Sequence, residues 1–342
     1  MAQRIVKISS SDLTGKLFGS FDANAREIEG AFGVTLRNRE AENGDAILID
    51  GAEENVNMAA DVVSYLLEVA KLQEVIEGQT LRYAIDMIKT GQGAALAGFD
   101  SDCICITHRS KPIKAKTVGQ KQYVDAIEKN TIILGVGPAG TGKTFLAVAM
   151  AVKALRAKQV SRIILTRPAI EAGEKLGFLP GDLQSKIDPY LRPLYDALYE
   201  MIGTEAYARY VEKGTIEIAP LAYMRGRTLD DSFIILDEAQ NATPEQMKMF
   251  LTRLGFNSKM VVTGDLTQTD LPFGQKSGLA AAVKILENID DIAIHYFTER
   301  DVVRHKLVQK IILAYEKHER ESMRKAAEAR QKYVGRPTRE KN

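Results

Sequence analysis

The chain has 342 residues, 45% hydrophobic and 27% charged, with 46 Lys and Arg against 45 Asp and Glu. That composition excludes disordered, fibrous and disulfide-stapled proteins, and the length allows one large core with a smaller companion. No apolar run approaches membrane-spanning length, and the opening MAQRIVKISSSD lacks the apolar stretch of a secretory signal. A cytoplasmic protein with no membrane partner is expected.

Charge is unevenly placed. Residues 1–110 carry 10 Lys and Arg against 17 Asp and Glu, whereas residues 317–342 carry 9 against 4, so the two ends are suited to different partners. Ile5 to Ile8 reads as a strand, and Asn24 to Phe32 as a helix with Asn24 as its N-cap. Val34–Arg37 and Ala46–Asp50 are strand-like and flank the turn signal Asn43-Gly44. A helix from about Glu53 to Leu72 follows, with Val56, Ala60, Val63, Leu67 and Ala70 on one face. The unit has the size and order of a small α+β, KH-like domain. It is acidic and lacks a G-x-x-G between strand and helix, since Gly19 is followed by Ser20-Phe21-Asp22. Leu81–Lys89 reads as a further helix. Cys103 and Cys105 alternate on a strand from Cys103 to Thr107, which points both thiols to one face as reduced packing residues, with no further metal ligands at suitable spacing. The domain is taken as residues 1–109, ending at a basic link, Arg109 to Lys116, that suits a nucleic-acid backbone or solvent equally.

Residues 110–317 read as a nucleotide domain. Thr131-Ile132-Ile133-Leu134-Gly135-Val136 is a buried-strand pattern, and FLAVAMAVKALR, from Phe145, is a helix. Between them stands Gly137-Pro138-Ala139-Gly140-Thr141-Gly142-Lys143-Thr144, which is G-x-x-x-x-G-K-T. Its glycines let backbone N–H groups wrap phosphate oxygens at a helix N-terminus. In such a loop Lys143 reaches the β- and γ-phosphates of a nucleoside triphosphate and the Thr144 hydroxyl holds Mg²⁺. Phe145 opens the helix beside the bound nucleotide. Upstream, Gln120 has the amide needed to read adenine.

Further along, Ser161–Arg167 is a second buried strand ending in Thr166 and Arg167, at the strand ends where open α/β sheets bind ligands. Tyr223-Met224-Arg225-Gly226-Arg227 offers an aromatic for stacking and two cations for phosphates. Phe233–Leu236 runs into Asp237 and Glu238: the first is placed to hold Mg²⁺ and the second to deprotonate water. Lys259–Thr263 is another strand, at whose end Gln268 or Thr263 is placed to sense the γ-phosphate. A helix is expected from Asp301, with Arg300 and Arg304 at its start, and residues 318–342 form a basic tail.

Taken with Thr166-Arg167-Pro168, Arg225-Gly226-Arg227-Thr228-Leu229, Leu236-Asp237-Glu238-Ala239-Gln240-Asn241, Thr263-Gly264-Asp265-Leu266-Thr267-Gln268 and Asp301-Val302-Val303-Arg304-His305, the loop makes residues 110 to about 317 resemble the bacterial PhoH family of ATPases. The resemblance implies an α/β fold, a single RecA-like P-loop domain with a parallel sheet, related to the core of superfamily 1 helicases. It also implies a cytoplasmic ATPase tied to RNA metabolism and associated with a YbeY-type endoribonuclease. By motif, Gln120, Lys143, Thr144, Asp237, Glu238 and Gln268 take the adenine, phosphate, metal, catalytic-acid and γ-phosphate roles. The stretch after Lys317 is short for the second motor domain that supplies arginines in such helicases. A homo-oligomer, as a ring, is therefore expected, in which a neighbour lends Arg300, Arg304 or Arg225.

Overall fold

The computed structural model describes residues 2–41, 44–72, 75–96, 103–168, 183–272 and 274–303, and beyond these only 307, 308, 311, 314 and 315. Residues Met1–Val302 form one compact unit and Val303–Asn342 another. The turn residue Asn43 and the whole basic tail lie outside the described residues. Among the described residues no helix is long and apolar enough to cross a membrane.

The chain opens with β1 (Ala2–Lys7), α1 (Ser11–Phe18), α2 (Ala23–Phe32), β2 (Thr35–Ala41), β3 (Gly44–Gly51) and α3 (Glu53–Leu72). β3 lies between β1 and β2 and is antiparallel to both. Alternation along β3 turns Ile47 and Ile49 into the core, where they meet the stripe Val56, Ala60, Val63, Leu67 and Ala70 of α3. α4 (Gly78–Lys89) closes this core with Leu81, Ala84 and Ile88. This is the small α+β unit expected ahead of the nucleotide domain. α1 had no counterpart in the sequence reading. It is short and interrupted by Gly15, and it is held by the burial of Leu13 and Leu17 rather than by intrinsic propensity.

β4 (Cys105–Ile106) and β5 (Pro112–Ile113) make a two-stranded ribbon. Only Cys105 is in the strand and buried, while Cys103 precedes it and is exposed, so the two thiols do not share a face. The nucleotide domain then follows as α5 (Val118–Lys129), β6 (Ile132–Val136), α6 (Lys143–Arg156), β7 (Arg162–Arg167), α7 (Leu183–Ile202), α8 (Thr204–Glu212), β8 (Ile216–Pro220), β9 (Ser232–Leu236), α9 (Pro244–Leu251), β10 (Lys259–Gly264), α10 (Gly278–Leu286) and β11 (Ile292–Tyr296). Six parallel strands lie in the order β11-β6-β10-β9-β7-β8. This is a RecA-like sheet.

Helices cover both faces, so the inner strands are buried on both sides and largely apolar, as β9 illustrates with every residue buried and Phe233–Leu236 apolar. Ile133, Ile163, Leu165, Phe233, Ile235 and Val261 meet α5, α6 and α7. Leu134, Ile164, Ile234, Leu236, Met260 and Val262 meet α9 and α10. From β6 the chain passes over α6 to β7, leaving two places that β9 and β10 later fill. The carboxyl ends of β6, β10 and β9 thus converge on one crevice, the place where such sheets bind ligands.

Under that crevice Tyr123 of α5 is fully buried and meets Phe297 edge-on at 5.0 Å. Its ring is why β6 carries Gly135: a Cβ there would stand 2.7 Å from it. The expected helix does not begin at Asp301. That residue closes a short 3-10 turn, Glu299–Asp301, its carboxylate accepting from Thr298 N at 2.9 Å and from the Thr117 hydroxyl at 2.6 Å. Val302 and Val303 then run without helical structure.

The Tyr123 hydroxyl is buried with no hydrogen-bond partner among the described residues, and burial pushes its ionisation far above the usual phenol range. An unmet buried hydroxyl costs about 1–3 kcal/mol. Tyr123→Phe is therefore expected to be as stable as the parent or more so in urea unfolding, while Tyr123→Ala loses about 3–5 kcal/mol.

Candidate nucleotide-binding site

Between β6 and α6 the loop is built by backbone that side chains disfavour. Gly137 has φ 152°, and a Cβ there would lie 2.7 Å from the Phe297 carbonyl. Gly142, the N-cap of α6, has φ 82°. Gly137 N–H is tied to Gly264 O at 3.1 Å, which fixes the loop to β10. α6 begins at Lys143 and runs 14 residues, so its N–H groups and dipole face the hollow of the loop. Pro138, Ala139 and Gly140 form the half-buried rim, and Thr141 is buried with its hydroxyl on Pro138 O at 3.0 Å. Lys143 is buried as well. Its ammonium donates to Gly137 O at 2.6 Å and Pro138 O at 2.7 Å, so the cation spans the cradle that phosphates would fill. Phe145 is half-buried and packs into the core under the helix.

Across the crevice stands Asp237, just past β9 and almost fully buried. Its Oδ1 accepts from the Thr144 hydroxyl at 2.6 Å and from the Thr263 hydroxyl at 2.8 Å. One carboxylate and hydroxyl oxygens in a small cluster are hard donors and too few to enclose a cation, which fits Mg²⁺, an ion that retains most of its waters. Thr144 and Asp237, 93 positions apart in the chain, are brought into contact.

The next residue, Glu238, has φ 51° and ψ 40°, left-handed backbone that costs a non-glycine residue about 1–2 kcal/mol. Its Oε1 lies 3.1 Å from Nη2 of Arg167, at the end of β7, and its Oε2 accepts from Gln240 Nε2 at 2.5 Å. Gln240 is buried and works in three directions: its Nε2 also donates to Gln268 O at 3.0 Å, and its Oε1 accepts from Asp265 N at 3.0 Å. Sequence reasoning passed over this residue, although it stands inside the Asp-Glu motif. Gln268 sits on the same loop with an exposed side chain and its carbonyl turned to Gln240. Asp265 was missed too. Its Oδ1 accepts from Thr267, while its buried Oδ2 has no partner among the described residues.

Gln120 lies in the first turn of α5, capped by Thr117, and is buried. Both ends of its amide are engaged within the protein. Oε1 accepts from Lys116 N at 2.7 Å, and Nε2 donates to Thr141 O at 3.0 Å. The side chain braces the phosphate loop against the segment that enters the domain.

The arginines are dispersed. Arg227 makes a two-pronged pair with Glu217, at 2.6 and 2.7 Å, and that contact holds its guanidinium charged. Arg225 is exposed next to the exposed Tyr223. Arg300 is turned to the α+β unit, 3.3 Å from Asp86 and hydrogen-bonded to Gln92. Arg304 lies outside the described residues. In the basic link, Lys116 pairs with Glu77 at 2.9 Å.

A family model described as PhoH-like protein matches residues 112–316, and one described as IstB-like ATP binding protein matches residues 52–169. A PhoH-like protein of Mycobacterium tuberculosis (strain ATCC 25618 / H37Rv) is 54% identical over 309 residues, covering 90% of this chain and 86% of its own. One of Bacillus subtilis (strain 168) is 49% identical over 311 residues, covering 91% and 96%. Protein PhoH of Escherichia coli (strain K12) is 49% identical over 208 residues, covering 60% of this chain and 59% of its own.

Gln120→Glu keeps the acceptor for Lys116 N and sets a carboxylate against Thr141 O. If the amide braces the loop, ATP and GTP lose affinity to the same degree in calorimetry, with about 1–3 kcal/mol of stability lost. A loss confined to ATP would instead assign the amide to the base.

Proposed function

The chain belongs to the PhoH family, and from that footing we propose that its ATP-binding core hydrolyses ATP with Mg²⁺ and couples the cycle to RNA. The observation that carries the reading is the meeting of Thr144 and Asp237 at 2.6 Å beside the Lys143 loop, with a second carboxylate, Glu238, one residue on. Thr144 and Asp237 would hold Mg²⁺, which neutralises charge on the phosphates when bound. Lys143 leaves the loop carbonyls for the β- and γ-phosphate oxygens. The attacking water gives its proton to Glu238 as its oxygen bonds to the γ-phosphorus, and the bond to the bridging oxygen breaks to release ADP. Gln240 orients Glu238 and joins it to the loop that carries Gln268, so loss of the γ-phosphate can be felt at both.

RNA is the proposed polymer because Tyr223 and Arg225 are exposed together on the turn after β8, at the sheet end that also bears the phosphate loop. Arg227 is left out of the proposed contact because it forms a two-pronged pair with Glu217. The family resemblance supports a cytoplasmic setting and work alongside a YbeY-type endoribonuclease of ribosomal RNA. A homo-oligomeric ring remains part of the proposal, with Arg225 or Arg304 as the arginine lent to the neighbour; Arg300 is committed to Asp86 and Gln92. A second reading, an ATP-gated switch with negligible turnover, is favoured by one observation: Glu238 is ion-paired with Arg167.

Phosphate release in a single turnover separates the two. Glu238→Gln is expected to keep ATP binding and lose about 10²–10⁴-fold in rate. An equal rate in that variant contradicts hydrolysis by this carboxylate. In filter binding, Arg225→Ala is expected to weaken RNA affinity and flatten its salt dependence, whereas Arg227→Ala lowers stability and leaves the salt dependence intact. The reverse pattern contradicts the placement.

A further inference from the structure

Arg167 ends β7, in register with Pro220 at the end of β8, and β7 also neighbours β9, with Thr166 opposite Leu236. It therefore stands between two features. On one side is Glu238, 3.1 Å from its guanidinium; on the other is the turn after β8 with exposed Tyr223 and Arg225. The Arg167 side chain is 20% exposed and that of Glu238 36%, so solvent-borne ligands reach the pair without unfolding anything.

The Glu238 carboxylate is held at both oxygens in this arrangement. Arg167 holds Oε1 and Gln240 holds Oε2, and the backbone beneath is left-handed. Such strain persists only where surrounding contacts enforce it, and it gathers at switching sites. A carboxylate paired with a guanidinium is a weaker acceptor for the proton of water. A guanidinium, in turn, binds phosphodiester oxygens with the same two-pronged geometry it offers a carboxylate, and it cannot serve both with the same donors.

We propose that Arg167 is a positioning residue that withholds Glu238 until the phosphodiester backbone of single-stranded RNA takes its guanidinium. The idea rests on Glu238 as the proton acceptor in ATP hydrolysis. RNA lying over the ends of β7 and β8 engages Arg225 and Arg167 together. Glu238 then keeps its hydrogen bond to Gln240 alone and turns its freed oxygen to the water.

The test measures steady-state ATP hydrolysis by the full chain with and without polyuridylate, for the parent, Arg167→Ala, Arg167→Gln, Arg167→Lys and Glu238→Gln. A partly exposed ion pair is worth about 1 kcal/mol, or roughly a fivefold rate effect. Arg167→Ala and Arg167→Gln are expected to raise kcat without RNA about three- to tenfold, with KM for ATP unchanged and stimulation by RNA lost. Arg167→Lys, which keeps the charge, is expected to retain a low basal rate and part of the stimulation. If one variant does not fold, the others carry the same comparison. A basal rate that falls in both neutral variants, or stimulation that persists in them, overturns the proposal. Parent-like activity in Glu238→Gln overturns the underlying reading instead, so the two failures are distinct.

Discussion

A single carboxylate oxygen, Oδ1 of Asp237, joins three strands of the sheet. It takes the hydroxyl of Thr144 from the helix after β6, at 2.6 Å, and the hydroxyl of Thr263 from β10, at 2.8 Å. These contacts exist because β10 lies between β6 and β9, an order the chain reaches by passing over that place on the way from β6 to β7 and filling it later. Gly137 N–H on Gly264 O draws the phosphate loop toward the same strand. The phosphate cradle and the acidic residues are therefore positioned by the pairing of buried strands rather than by flexible loops, and geometry of that kind is hard to lose.

The α+β unit meets the nucleotide domain close to this centre. The Val118 amide donates to the Tyr83 hydroxyl at 3.0 Å, Lys116 pairs with Glu77, and Arg300 reaches Asp86. All three contacts fall at the entrance of α5, where Gln120 holds Thr141 of the loop. Asp301 adds a buried hydrogen bond to Thr117, and a Cβ on Gly119 would stand 2.3 Å from its carboxylate. Backbone, cap and loop are thus packed against one another, so a shift of the small unit would be felt at the phosphate loop through rigid neighbours.

Much of this was legible in the sequence because it is local. A strand, a glycine-rich turn and a helix appear in order around Lys143, and four apolar residues lead to Asp237. The stripe on α3 follows from its period alone. What stayed hidden depends on residues distant in the chain. Gln240 becomes a hub only because Asp265 and Gln268 fold back over it, and Arg167 meets Glu238 only because β7 and β9 are neighbours. Arg225 and Arg227 are alike on paper, and Glu217 on β8 tells them apart. The late helix, helical at 307, 308, 311, 314 and 315, does not start at Asp301, because that residue, which resembles a helix start, spends its carboxylate on Thr117 and Thr298. α1 was missed because its formation depends on buried contacts with α3 and not on its own propensity.

The oxygen of Asp237 is also where the account is most exposed. Phosphate release from pre-bound ATP in one turnover, followed across a Mg²⁺ titration, reads it directly. The expected result is a saturable Mg²⁺ requirement that Thr144→Ala moves to higher Mg²⁺ and Asp237→Asn removes together with the release. Release in excess chelator, or an Asp237→Asn titration that overlays the parent, would contradict the assignment of this pair as the metal-holding centre of an ATPase.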